Sequence, residues 1–193
     1  MILKHYLDTR APDNATARAY FVRVMLVVHA QNSAGAKLVV SWPKWASAAN
    51  YFGSIMRIFG TVQELEAVRT ELGRDALKVA KGRGKNVKKP LAITDILDVP
   101  SSAKISWIFK RHRSPSHVNG KCYMNRLIRR ALARGEAPKA YDYQPIETHT
   151  LRLVSLTTNA QFPLDVYRTR PEHLDVLDAE PNSYGLGVPV PHF

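Results

Sequence analysis

The chain has 193 residues, of which 45% are hydrophobic, so it can bury a folded core, and its formal net charge of +12 predicts a polyanionic partner. Its single cysteine, Cys122, excludes an internal disulfide framework and a thiolate zinc cluster. The apolar stretches are shorter than the roughly 20 residues of a bilayer span, and the amino terminus lacks the apolar segment of a secretion signal, so we expect a cytoplasmic protein with no membrane partner.

The first half of the chain shows the order of elements of a ferredoxin-like unit. The predicted elements are a strand at 4–10, a helix at 16–32, strands at 37–43 and 54–60, a helix at 61–73 and a strand at 91–100. Asp13 or Asn14 can cap the first helix. The second helix has the clearest signal, because Thr61 and Glu64 form a capping box and Gly73 is a stop residue.

The second half is rich in strands around one helix. Strands are expected at 104–110, 149–157 and 161–168, with a basic helix at about 117–134 and a proline-rich tail. The whole pattern predicts an α+β fold with two domains. Residues 1–98 would form a ferredoxin-like (RRM-like) domain, and residues 99–193 a β-rich C-terminal domain that carries the arginine-rich helix.

Positive charge is concentrated in residues 104–139, which hold ten of the 28 Lys and Arg residues and a single acid, Glu136. The ten are Lys104, Lys110, Arg111, Arg113, Lys121, Arg126, Arg129, Arg130, Arg134 and Lys139. Six of them are arginines, whose planar fork suits bidentate contacts with phosphate and guanine. A local basic surface of this kind favours nucleic acid over an anionic membrane.

A helical projection at about 100° per residue places four of these arginines on one face and apolar residues on the opposite face. The four are Arg126, Arg129, Arg130 and Arg134. A solvated surface helix usually mixes charge signs, whereas only Glu136 lies near these arginines, so nucleic-acid contact is favoured. Upstream, Arg111 and Arg113 alternate in an extended segment, so both side chains can read base edges from one side.

His29 interrupts an apolar helix just before its polar end in the segment LVVHAQNS. From the residues alone, it is either a packed core histidine or a reactive imidazole. The seven histidines include no HExxH motif and no closely spaced pair, so their spacing predicts no metal site. No cofactor is expected.

Several motifs, in order along the chain, resemble one family. They are HYLD, VVHAQN before VSWP, RLIRRALARG, VSLTTNAQF, and SYGL before PVPHF. Together they are similar to the CRISPR RNA-processing endoribonuclease of subtype I-F, a Cas6-type member of the RAMP superfamily. The resemblance implies a metal-independent enzyme that cleaves CRISPR repeat hairpins by 2′-hydroxyl attack. It also implies that the product stays bound within a type I-F surveillance (Cascade-like) complex with other subunits.

The resemblance implies roles for individual residues. His29 would be the catalytic histidine, Ser155 would hold the attacking 2′-hydroxyl, and Tyr184 would match the tyrosine of the YGL motif. The stacking aromatic under the RNA stem would be Phe162. The basic RNA-binding residues would be Arg111, Arg113, Lys121, Arg126, Arg129, Arg130 and Arg134.

The chain departs from the family pattern at three positions, and a fourth residue offers an alternative to Ser155. Arg113 replaces a glutamine, which leaves open the base that it reads, and Pro163 replaces a basic residue. His192 stands in place of a tryptophan and could lie near the site or only pack, and Thr157 could take the role of Ser155.

Two other functions share the basic helix. A non-catalytic RNA-hairpin-binding subunit would need all of these features except the three catalytic residues. A DNA-binding regulator is less favoured, because no helix-turn-helix pair is visible in the sequence.

Overall fold

The computed structural model describes residues 3–46, 51–81, 91–112, 121–137, 147–155, 158–171 and 179–193. These residues form helices and two antiparallel sheets, so the α+β class predicted from the sequence is confirmed. Among them, no helix combines the length and the apolar character that crossing a bilayer requires.

The first sheet and its helices come from the first half of the chain. The elements are β1 (His5–Arg10), α1 (Asn14–Ser33), β2 (Val39–Ser41), β3 (Ile55–Gly60), α2 (Val62–Lys81), β4 (Ala92–Ile93) and β5 (Leu97–Asp98). The strand order is β2-β3-β1-β4, and β5 also pairs with β1; every pair is antiparallel. Because β1 lies in the centre and a helix follows both β1 and β3, this is the ferredoxin-like arrangement that the sequence predicted.

Both helices begin at the residues that their capping signals predict. Asp13 caps α1, because its Oδ1 accepts a hydrogen bond from Thr16 N at 2.8 Å. In α2, Glu64 Oε2 accepts from Thr61 N at 2.8 Å, and Thr61 Oγ1 accepts from Glu64 N at 3.3 Å. These two bonds make the predicted capping box.

The end predicted for α2 at Gly73 is wrong, because the helix continues to Lys81. A glycine inside a helix costs about 1 kcal/mol relative to alanine. That cost is too small to stop a helix whose preceding turns are already packed through Leu65, Val68 and Leu72.

The single strand predicted at 91–100 is divided into β4 and β5, because the side chain of Thr94 competes with the strand backbone. Thr94 N donates to Asp8 O at 3.0 Å, while Thr94 Oγ1 accepts from Asp8 N at 2.9 Å. The hydroxyl therefore takes the place of a backbone acceptor between the two short strands.

The second sheet comes from the second half of the chain. Its strands are β6 (Lys104–His112), β7 (His149–Val154), β8 (Gln161–Thr169) and β9 (Pro189–His192), in the order β7-β8-β6-β9. The sequence predicted only a proline-rich tail where β9 lies. Pro189 and Pro191 are compatible with a strand there because β9 is at the edge of the sheet. Although each sheet draws on one half of the chain, the domain boundary at 98/99 stays a prediction.

One face of the second sheet, here called the inner face, packs towards the first half of the chain. Strand pairing places Trp107, Phe109 and Arg111 of β6 in one row on this face, together with alternate residues of β7 and β8. The Phe109 ring lies 5.2 Å from the Trp42 ring and 5.5 Å from the Trp45 ring. One continuous apolar core therefore joins the two halves of the chain.

A buried ion pair attaches Phe193, the residue after β9, to the first sheet. Arg57 donates to both carboxylate oxygens of Asp8, from Nε at 2.7 Å and from Nη2 at 3.1 Å. Its guanidinium lies 4.3 Å from the Tyr6 ring and 4.0 Å from the Phe193 ring, and Nη1 donates to Phe193 O at 3.1 Å. The segment that follows residue 188 is thus held by both sheets.

Candidate active site and RNA-binding surface

His29 lies in the last turns of α1 and stacks on Tyr184. The two ring centroids are 4.5 Å apart and the ring planes are 11° from parallel. The imidazole is half-buried, and its Nδ1 has no hydrogen-bond partner among the described residues. The ring is therefore oriented by an aromatic contact, while its Nδ1 is buried without a partner among the described residues.

The end of α1 is fixed by Asn32, three residues after His29. Asn32 Nδ2 donates to Leu38 O at 2.9 Å, and its Oδ1 accepts from Leu38 N at 2.8 Å. The same Nδ2 lies 3.3 Å from Asn182 O in a distant turn. This side chain therefore connects the helix that carries His29 with Leu38, just before β2, and with the turn that carries Tyr184.

The turn at residues 182–186 sets the position of Tyr184. Asn182 Oδ1 accepts from Tyr184 N at 2.9 Å and from Leu186 N at 3.2 Å. Gly185 has φ +73°, and a Cβ at this position would lie 2.9 Å from Leu38 O. Gly185 O accepts from Val40 N at 2.9 Å, so the glycine is needed for the close approach of this turn to β2.

Phe162 and Arg111 complete a cluster around Tyr184. The rings of Phe162 and Tyr184 are 6.4 Å apart and inclined at 60°. Arg111 Cζ lies 5.6 Å from the Tyr184 centroid and 5.9 Å from the Phe162 centroid. Four residues that the sequence singled out separately are thus brought together from α1, β6, β8 and the 182–186 turn, and all are half-buried.

Ser155 lies in the hairpin that joins β7 to β8, at the same end of the sheet as this cluster. Its N donates to Ala160 O at 2.9 Å, and its Oγ accepts from Thr158 N at 3.2 Å. Ser155 is two residues beyond Leu153, which pairs with Phe162. Its neighbour Thr157 lies outside the described residues.

The basic helix, α3, spans Lys121–Ala133. Gly135 ends it as predicted, with φ +70°. Gly135 N donates to Leu132 O at 3.0 Å and Glu136 N donates to Ala131 O at 2.9 Å, which is a Schellman motif. The apolar side is only partly covered, because Ala131 is buried while Leu132 is 61% exposed.

The arginines of this helix differ in their availability. Arg129 and Arg130 are exposed, and Arg129 Nε donates to Asn125 O at 3.3 Å. Arg134 is also exposed, but it makes a bidentate pair with Glu136 at 2.9 and 2.8 Å. The backbone of α3 includes Lys121 and Arg126, whereas Arg113 lies outside the described residues.

His192 lies at the other end of β6. It pairs with Lys104, the first residue of the strand, and Arg111 is seven residues further on. At about 3.3 Å per residue, this separation is roughly 23 Å along the strand. His192 therefore does not approach the cluster of His29, Tyr184, Phe162 and Arg111, called the active-site cluster below, which was one of its two possible placements. The His192 side chain instead lines a separate recess.

Within the described residues, no group of three or more His, Cys, Asp or Glu side chains is placed to hold a metal ion.

The arrangement is that of an α+β protein with a basic helix and a histidine-aromatic cluster, and comparison with known families gives its class. Residues 18–193 match the family model described as CRISPR-associated protein (Cas_Csy4). The chain therefore belongs to the Cas_Csy4 family, the CRISPR repeat endoribonucleases of type I-F. The family that the sequence motifs resembled is confirmed.

Other comparisons add little. No curated protein sequence matches the chain. One solved structure, described as "An RAMP protein binding different RNA substrates", is 12% identical, covers 98% of this chain and 99% of that chain, and has a TM-score of 0.32. A structural similarity this low does not bear on the fold or the function.

Proposed function

We propose that this chain is a metal-independent endoribonuclease that cleaves CRISPR repeat hairpins in precursor RNA. The observation that carries the proposal is the half-buried cluster of His29, Tyr184, Phe162 and Arg111, assembled from four separate elements. The cluster combines an imidazole that can take a proton with an aromatic platform and a cation that can hold a base of the RNA strand.

In the proposed reaction, the 2′-hydroxyl of the nucleotide at the cut attacks the adjacent phosphorus. A bond from the 2′-oxygen to phosphorus forms, and the bond from phosphorus to the 5′-oxygen breaks, which leaves a 2′,3′-cyclic phosphate and a 5′-hydroxyl. His29 takes the proton of the attacking hydroxyl, since histidine is the side chain best suited to proton exchange near neutral pH. The leaving 5′-oxygen takes a proton from water and becomes the 5′-hydroxyl. Positioned proton transfer of this kind contributes about 10² to 10⁴ in rate.

The neighbouring residues orient the reacting groups. Tyr184 holds the imidazole plane by stacking at 4.5 Å, and Ser155, at the β7–β8 hairpin, holds the 2′-hydroxyl. Phe162 stacks beneath the last base pair of the stem, while Arg111, packed against Phe162 and Tyr184, presents its fork to a base edge. Arg113 would extend this base contact.

The helix α3 would bind the hairpin backbone. Arg129 and Arg130 are exposed and can reach phosphates directly, and Arg134 can do so once it exchanges Glu136 for a phosphate. Lys121 and Arg126 would add to the same surface. Because the major groove of A-form RNA is deep and narrow, we expect these residues to grip phosphates near the open loop of a short hairpin.

This binding surface would also retain the product. After cleavage, the contacts of α3 with the stem are unchanged, so the processed guide RNA stays bound. The protein would then act in the cytoplasm as one end of a type I-F surveillance complex with other protein subunits.

The test is to incubate the protein in EDTA with a repeat hairpin from the CRISPR array. The expected product carries a cyclic phosphate, and a 2′-deoxy nucleotide at the cut should prevent cleavage. As a matched control, His149→Phe replaces a histidine that is fully buried in the core and should cleave normally. RNA that is bound but left intact by the unmodified protein would instead indicate a non-catalytic hairpin-binding subunit.

A further inference from the structure

The recess that His192 lines is at the end of β6 and β8 that is far from the active-site cluster. Its volume is about 550 Å³, within the range of small-ligand sites. Trp45, Trp107, Arg168, Arg170 and His192 provide its aromatic and polar lining. None of these residues has a role in the reaction proposed above.

The recess combines aromatic rings with arginines. Arg168 Cζ lies 4.3 Å from the Trp107 centroid and 5.9 Å from the Trp45 centroid, and Arg170 Cζ lies 5.4 Å from the Trp107 centroid. Burial lowers the pKa of Arg168, but an arginine stays protonated in proteins. The cation-π contacts therefore hold two charged forks beside one indole ring.

The described residues that line this recess include no aspartate or glutamate. Glu147 acts on Arg168 through its charge without lining the recess. The exposed side chain of Arg170 and the exposed His192 add hydrogen-bond donors at the edge. An anion that also carries a planar ring matches this lining best, and a nucleotide is such a group.

The recess and the active-site cluster lie on the same inner face of the second sheet. On β6, Trp107 and Arg111 are four residues apart in one row, which is roughly 13 Å at the rise of a strand. About four nucleotides span that distance at the 3.4 Å rise of a stacked strand. Because the buried ring of Phe109 fills the row between them, RNA would have to pass around the core, so a single-stranded segment longer than four nucleotides is needed to reach the recess.

We propose that this recess binds a nucleotide of the single-stranded RNA that continues beyond the repeat hairpin. The base would pack on Trp107, and its phosphates would accept hydrogen bonds from Arg168 and Arg170. The proposal rests on the proposed function only in naming the hairpin as the neighbouring ligand. If the recess binds a nucleotide in this way, the affinity of the protein for its RNA depends partly on contacts outside the stem, and these contacts tolerate different bases.

The test measures binding by fluorescence anisotropy with three labelled RNAs, each 2′-deoxy at the cut. They are the bare hairpin and the hairpin extended by about eight nucleotides at its 5′ or its 3′ side. One extension should tighten binding to the unmodified protein about tenfold, the effect of one stacked base with its phosphate. An abasic extension of equal length should lose most of that gain.

The gain should disappear in Arg170→Ala and in Trp107→Leu, while both variants bind the bare hairpin normally. Arg170 is exposed, so its substitution does not disturb the core. Arg74→Ala is the matched control, because it removes an exposed arginine of α2, a helix that does not line the recess. The extension should tighten RNA binding to Arg74→Ala as much as it does to the unmodified protein.

Equal binding of bare and extended hairpins, or a gain that survives both substitutions, would overturn the proposal. A gain that persists with the abasic extension would also overturn it, because no base would then pack on Trp107. If the hairpin itself is not bound, the proposed function fails. The isolated extension then tests the recess alone, because its weak binding should still fall in Arg170→Ala and not in Arg74→Ala.

Discussion

His29 and His149 are both imidazoles stacked on an aromatic ring, yet their surroundings differ in the property that matters for chemistry. His149 is fully buried, with its ring 3.7 Å from Trp45 and edge-on to Phe52 at 5.3 Å. His29 is half-buried against Tyr184. Both have an Nδ1 without a partner among the described residues, so an unpartnered nitrogen alone does not identify a reactive histidine.

The remaining contacts separate the two. His149 Nε2 lies 3.2 Å from Ala46 O, and burial lowers the pKa of His149, which favours a neutral ring inside the core. His29 is instead only partly buried, and an arginine and a second aromatic ring lie close to its stacking partner. Accessibility and neighbouring groups, more than stacking, therefore mark His29 as the candidate base.

The largest effect is expected from His29→Ala. Loss of the base should slow cleavage by about 10² to 10⁴, while hairpin affinity stays within about twofold. Single-turnover cleavage and anisotropy on the same RNA would measure the two quantities. A parallel loss of affinity and rate would place His29 with His149 as a packing residue.

The stacking contact of His29 is tested by a pair of substitutions. Tyr184→Ala should lower the single-turnover rate about tenfold to a hundredfold, because the imidazole loses the ring that orients it. Tyr184→Phe keeps the ring, so its rate should fall only severalfold. Equal rates for the two variants would mean that stacking does not position His29.

Arg129 and Arg130 test whether RNA binding is separate from the catalytic cluster. Replacing both by alanine should weaken hairpin binding about tenfold or more and lower the log-log salt slope by roughly 1.4 to 1.8. The cleavage rate at saturating RNA should change little. If the salt slope is unchanged, α3 is not at the RNA interface.

The smallest effect is expected from His149→Phe, which keeps the stack on Trp45 and removes the bond to Ala46. Because the folded pKa of His149 is lowered, its stabilising effect is complete above the ordinary histidine pKa and falls as the pH drops below it. The free energy of unfolding should therefore depend less on pH in the variant between about pH 7 and pH 5. An unchanged dependence would contradict a buried neutral ring.

At pH 7, His149→Phe should change the free energy of unfolding by only about 1 kcal/mol, the usual value of one hydrogen bond. Denaturant titration measures this change. Its cleavage rate should equal that of the unmodified protein.

The sequence predicted local features and motif residues well. The capping box of Thr61 and Glu64, the cap at Asp13 and the stop at Gly135 depend on neighbouring residues, and all three are present. The family motifs indicated His29 and Tyr184, and the structure places their rings in contact. Whether they act as proposed remains a prediction.

Features that depend on distant contacts were not predictable in the same way. The bond between Asn32 and Asn182 joins residues 150 positions apart, and β9 becomes a strand only because β6 offers it an edge. The continuation of α2 past Gly73 reflects packing that outweighs a local stop signal. The sequence shows Asn32 as the last residue of HAQN and Asn182 two residues before YGL. It does not show that these two asparagines are bonded to each other.

The placement of Tyr184 also has a consequence for protein synthesis. A ribosome translates the histidine helix long before it reaches the turn at residues 182–186, so a nascent chain has an imidazole with no ring to align it. Any polypeptide released before that turn would lack the partner of His29 and also β9. On the proposed mechanism, such products would cleave transcripts at least tenfold to a hundredfold more slowly, as expected for Tyr184→Ala.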